Sequence, residues 1–88
     1  MNQSILFSDI HSWDEDKQAV LFSAQRSGAL IQCQISKKVL ESIAGCSLNG
    51  EQQILEAFSM LRFDIEELTE QLIEDEAFND QGMVEVAS

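Results

Sequence analysis

The stretch Ala19-Val20-Leu21-Phe22-Ser23-Ala24-Gln25-Arg26-Ser27-Gly28-Ala29-Leu30-Ile31-Gln32-Cys33-Gln34-Ile35-Ser36 decides the fold. Its first part alternates, with Val20, Phe22 and Ala24 on one side and Leu21, Ser23 and Gln25 on the other, the period of a strand buried on one face. Arg26-Ser27-Gly28 offers a turn, after which Ile31, Cys33 and Ile35 alternate with Leu30, Gln32 and Gln34. Loop parity fixes the register. A two-residue Ser27-Gly28 loop sets Ala24 against Ile31, Phe22 against Cys33 and Val20 against Ile35, so all six apolar side chains share one face. A three-residue loop would oppose Phe22 to Gln32 and mix the faces.

Working outward, Ile5-Leu6-Phe7 reads as a further strand, followed by a loop through Asp9 to Lys17. On the other side Ser36 is a helix N-cap, because its hydroxyl can accept a first-turn N–H. Val39, Leu40 and Ile43 follow at helical spacing and Gly45 supplies a residue tolerant of positive φ, so a short helix is expected over 37–44. The connection Cys46-Ser47-Leu48-Asn49-Gly50 offers Ser47 or Asn49 as the next cap. Ile54, Phe58, Leu61, Ile65, Leu68 and Leu72 then recur at intervals of four and three, a stripe about 80° wide. One long helix ending near Ala77 is expected, then a turn at Asn79-Asp80-Gln81-Gly82 and a last strand, Met83-Val84-Glu85-Val86, returning to the sheet edge. The expected fold is α+β in the order β-β-β-α-α-β, a small antiparallel sheet covered on one face by the long helix. The 88 residues allow a single small domain over 1–88 with one modest core.

The formal charge is −11, with 16 acidic against five basic residues. It is unevenly spread: residues 1–50 hold five acids and four bases, residues 51–88 eleven acids and Arg62 alone. Phosphate neutralisation needs a basic face, so direct nucleic-acid binding is not expected, nor is binding to an anionic membrane. A basic partner is permitted; a DNA-mimic role has only the acidity behind it. The longest apolar runs, such as Ala19-Val20-Leu21-Phe22, are too short to span a bilayer, and Met1-Asn2-Gln3-Ser4 does not open a secretory signal. A cytoplasmic protein with reduced Cys33 and Cys46 is expected, although the two could pair in an oxidising compartment.

The order of landmarks resembles that of the bacterial family catalogued as domain of unknown function 1488. The residues that carry the likeness are Phe7, Trp13-Asp14, Val20-x-Phe22, Gly28 and Cys33-x-Ile35-Ser36 running into Leu40, then Phe58, Ile65 and Asp80-x-Gly82. The resemblance covers nearly the whole chain. It implies a stand-alone α+β domain and brings no activity with it.

No catalytic constellation stands out. Cys33 lies between Ile31 and Ile35 on the inferred core face, where a cysteine behaves as a small hydrophobe; an enzyme using it as a reactive thiol would need a nearby base or a helix N-terminus. His11, with Asp9, Asp14, Glu15 and Asp16, could hold a divalent cation weakly, but the spacing does not fit a calcium loop. There is no Gly-x-Ser-x-Gly elbow and no phosphate loop, and no cofactor is implied. Trp13 is either a plug for the open end of the core or a partner anchor. The remaining signal is the long helix. Opposite its apolar stripe lie Glu56, Glu66, Glu67, Glu70 and Glu74, with Phe63 projecting among them. The i,i+4 pairs Glu66–Glu70 and Glu70–Glu74 each cost roughly 0.2–0.5 kcal/mol, and Glu74, Asp75 and Glu76 crowd the negative end of the helix dipole. A non-catalytic interaction or regulatory module is therefore expected, meeting a basic protein or a second subunit through Phe63, Glu56, Glu66, Glu67, Glu70, Glu74 and Trp13. The alternative is a small enzyme built on Cys33 or on a metal at Asp9–Asp16.

Overall fold

The computed structural model describes residues 5–87. Strands β1 (Ile5–Asp14), β2 (Ala19–Arg26) and β3 (Ala29–Ser36) are followed by helices α1 (Lys37–Ala44), α2 (Glu51–Met60) and α3 (Arg62–Glu74) and a short strand β4 (Val84–Val86). The sheet order is β1-β2-β3-β4. The expected register of the β2–β3 hairpin is found: Val20 pairs with Ile35, Phe22 with Cys33 and Ala24 with Ile31. Ser27 and Gly28 take φ of 53° and 83°, the pair of positive values that lets a two-residue turn match the twist of its strands.

The first three strands are antiparallel, whereas β4 runs parallel to β3. The chain leaves β3 at one end of the sheet and returns through three helices, the kind of crossover a parallel neighbour requires. Val84 and Val86 bury fully against the core, and Glu85 between them faces solvent.

β1 corrects an expectation. The segment from Asp9 is not a loop: the strand continues to Asp14, and only four residues turn into β2. Phe7 pairs with Ala24 and His11 with Phe22, so four residues of β1 run past two of β2. Two extra residues, an even number, keep the alternation in phase. Phe7, His11 and Trp13 therefore all lie on the helix side of the sheet, opposite the core-facing Ala24, Phe22 and Val20. The alternation was obscured because Asp9 stands at the period-2 position between Phe7 and His11, while Leu6 and Ile10, out of phase, are apolar yet exposed.

α1 is capped as its sequence indicates. Ser36 Oγ accepts from Val39 N–H at 3.2 Å, and Gly45 at φ 76° donates to Glu41 O. α2 starts differently: neither Ser47 nor Asn49 caps it, the N-cap is Gly50, and Gln53 Oε1 instead accepts from Asn49 N–H at 2.9 Å. The long helix is in fact two. Leu61, at φ −101° and ψ 15°, ends α2 by donating to Ala57 O and begins α3 by accepting from Ile65 N–H. The break has a geometric reason. A straight helix of 24 residues would be about 36 Å long, while four strands span about 14 Å. Bent at Leu61, α2 packs over β1 and β2 and α3 over β4. Ile54 and Phe58 are buried from α2, and Ile65, Thr69 and Ile73 from α3, with Leu61, Leu68 and Leu72 at the margin.

α3 ends at Glu74 rather than near Ala77. Glu76, at φ 55°, stands after the last turn, with Ala77 N–H on Leu72 O and Glu76 N–H on Ile73 O, the paired bonds of a left-handed helix stop. The crowd of acids there meets an unforeseen cation: Arg26 Nη1 donates to Ile73 O at 3.0 Å, placing positive charge at the negative end of the dipole. Beyond it Asn79 Oδ1 accepts from Gln81 and Met83 N–H, making the turn into β4. Among the described residues no helix is long and apolar enough to cross a membrane.

The elbow between the second and third helices

The most conspicuous surface lies where α2 meets α3. Met60 and Phe63 stand on either side of Leu61, and each is 85% exposed. Met60 is the last residue of α2 and Phe63 lies in the first turn of α3, so the two flank the break. Glu56 and Glu67 flank them at one turn's distance and are exposed. The local sequence accounts for this: with Ile54, Phe58, Leu61 and Ile65 turned to the core, position 63 lies half a turn away from it.

Arg62 positions the elbow. Its Nη2 donates to Ser8 O at 2.6 Å and to Asp9 Oδ1 at 3.3 Å, and its Nε to Glu66 Oε2 at 2.8 Å. The one base of residues 51–88 is thus spent fixing the helix break to the β1 bulge. The hydrogen bond and charge of Glu66, reinforced by Asp9, hold the guanidinium protonated still more firmly than usual. Ile10, next to the clamped pair, is 78% exposed.

Of the expected contact residues, Phe63, Glu56, Glu67 and Glu74 are exposed, Glu70 is half-buried, and Glu66 is half-buried in the Arg62 pair. Trp13 is not in a loop. It sits on β1, half-buried against the core, and its Nε1–H donates to Glu15 Oε1 at 2.8 Å, which is the arrangement of a core plug. Sequence reasoning missed Met60 and the groove beside it. That groove runs between β1 and α2 and is lined by His11, Leu55, Ser59 and Met60, with Glu51 and Glu56 at its rim. The His11 ring lies 4.6 Å from that of Phe58, and its Nδ1 is buried without a hydrogen-bond partner. The available signal was the i,i+4 pair Leu55 and Ser59 of α2, beside the core stripe.

The residues considered for chemistry are kept apart. Cys33 is fully buried and free, and burial pushes its thiol up to about 12, only partly offset by a backbone hydrogen bond at Ala24; a thiol so placed is not a nucleophile at neutral pH. Cys46 is free and exposed. Asp9 pairs with Arg62, Asp14 accepts from Lys17 N–H, and Glu15 accepts from Trp13 and Gln18. Among the described residues no three His, Cys, Asp or Glu side chains converge as a metal site would require.

These features define a small α+β domain whose helices cover one sheet face and whose α2–α3 bend carries apolar side chains among carboxylates. The chain belongs to the family described as "Protein of unknown function (DUF1488)", whose model matches residues 5–86. It is 41% identical over 86 residues, 96% of each chain, to the uncharacterized protein YrdB of Escherichia coli K12. The YrdB protein of Shigella flexneri is 40% identical over the same share. A crystal structure of a protein of this family from Shewanella loihica PV-4 superposes with a TM-score of 0.92 at 48% identity, covering 98% of this chain and 94% of that one.

Proposed function

We propose that the protein is a non-catalytic interaction module that meets a basic protein partner through the acidic surface of α2 and α3, with Phe63 as its apolar anchor. The observation that carries this is the exposure of Met60 and Phe63, 85% each on either side of the Leu61 break, in residues 51–88 whose one base, Arg62, is already engaged. A scattered exposed apolar side chain is ordinary. Two large ones together, rimmed by Glu56, Asp64 and Glu67, form a hydrophobic centre with a charged border, which favours a basic partner and quickens its approach. A second copy would bring the same carboxylates to the contact, so a basic partner is preferred to self-association.

Affinity capture from the native cell, followed by mass spectrometry and repeated with Phe63→Ala, tests this. Recovery of a basic protein should be lost with the variant and fall as salt rises, because rim charges are screened beyond about 8–10 Å. The melting temperature should stay nearly unchanged. Equal recovery with wild type and variant would show that the acidic surface is merely solvated.

A further inference from the structure

Helices α2 and α3 bury one apolar stripe on the sheet, and α2 leaves a second, partly apolar row open beside it. The first, through Ile54, Phe58, Ile65 and Ile73, is buried on the sheet. The second is on α2: Leu55, half-buried, and Ser59, exposed, stand at four-residue spacing with Met60 at the helix end, and with His11 they line the groove, while Phe63 lies just beyond the Leu61 break. A row at i,i+4 spacing is the ridge that helices use to pack on one another. Ser59, the smallest member, would let a second backbone approach closely, and Met60 can adapt its shape to what it meets. Glu51 and Glu56 line the groove and Glu67 follows on α3, all three exposed.

From this we infer that the groove between β1 and α2, continued over Met60 to Phe63, seats an amphipathic helix with a basic polar face. The inference deepens the role proposed above and presupposes it. Charge selects the occupant. The groove's carboxylates, Glu51 and Glu56, repel a second copy of a chain of charge −11, and lysines or arginines flanking an apolar strip would complement them. Length agrees: the lining from Glu51 to Met60 covers about 14 Å of helix axis, room for two to three turns of a partner helix.

The probe is a 14-residue synthetic peptide of leucine and lysine, ordered so that the leucines fall on one helical face. Its control has the same composition in shuffled order, without a stripe. Titrated into isotopically labelled protein, the patterned peptide should shift the amide signals of His11, Leu55, Ser59 and Met60 and gain helical circular dichroism. Met60→Ala, whose side chain is exposed and outside the core, should raise its Kd about five- to tenfold, in line with the weight of a central contact. Equal affinity for the shuffled peptide, or no binding by either, would overturn the inference. Shifts confined to the 63–74 segment would overturn the groove and leave the acidic-surface role standing. Binding that survives Phe63→Ala but not Met60→Ala would uphold the groove and remove Phe63 as its anchor. Self-association of the free protein in high salt that is lost with Met60→Ala, seen by sedimentation, would put a second copy on the stripe and overturn the choice of occupant.

Discussion

Replacing Arg62 with Ala should destabilise the protein more than any other single charge removal. Three acceptors depend on that guanidinium: Ser8 O at 2.6 Å, Glu66 Oε2 at 2.8 Å and Asp9 Oδ1 at 3.3 Å. Ser8 O loses a charged donor, worth about 1.5 kcal/mol. The Glu66 pair has only 25% and 22% of its two side chains exposed. It should therefore exceed an exposed i,i+4 pair, at about 1 kcal/mol, while falling well short of a fully buried one. Asp9, 98% exposed, contributes close to nothing. The sum, about 2–3 kcal/mol, would lower Tm by roughly 10–20 °C in a domain of this size. Thermal melts and urea titrations read by circular dichroism would measure it. Hydrogen exchange should speed up at Ile10, whose N–H donates to Ser8 Oγ within the bulge. Arg62→Lys should recover at most about half, since one ammonium cannot reproduce the planar fork. A melt of Arg62→Ala within about 2 °C of wild type would mean that the bulge and the helix break stand without the clamp.

Phe22→Ala should cost about 3–5 kcal/mol, because the ring is buried with its centroid 5.2 Å from that of Phe58; a chemical-denaturation midpoint close to wild type would contradict the core described. Cys46 should react with a maleimide in the native state and Cys33 only on unfolding, which mass spectrometry of the labelled chain would read. Because the thiol of Cys33 is raised in the folded state from 9.0 to about 12, its contribution is complete below pH 9 and is lost as pH climbs from 9 towards 12. Cys33→Ala should therefore flatten the alkaline fall in stability, and an unchanged slope would oppose that origin. Ser27→Asn should stabilise by about 0.5 kcal/mol, since asparagine accepts the positive φ of that turn position more readily than serine; a lower melting temperature would count against the turn geometry.

The hairpin, the first helix and the core stripe as far as Ile65 were legible in the sequence because each is set by neighbours along the chain; beyond the break the buried line passes through Thr69 and Ile73 rather than Leu68 and Leu72. Alternation at Val20–Ala24 and Ile31–Ile35 with an even loop leaves one register that buries all six side chains. Ser36 and Gly45 bracket eight residues with a cap at each end. Half of the candidate site was legible for the same reason: Phe63 falls opposite the buried stripe by helical period alone. Met60, Leu55 and His11 become one groove only when β1 lies alongside α2, and no local pattern carries that placement.

The sequence by itself determined the core face of the hairpin and of α2, where the chain turns, the surplus of acid in the second half and the family likeness. Tertiary structure alone decided that β1 runs on through a bulge, that the long helix breaks at Leu61, that β4 lies parallel to β3 and that Arg26 meets the end of α3. The physical reason is separation along the chain. Arg62 reaches Ser8 across 54 residues, and Arg26 reaches Ile73 across 47. In β1 the period-2 signal is masked by Asp9 among the inward positions and by Leu6 and Ile10 on the outer ones, and a helix bends where the width of the sheet beneath it requires. Such features follow from how elements close on one another, and propensity and spacing record only the elements.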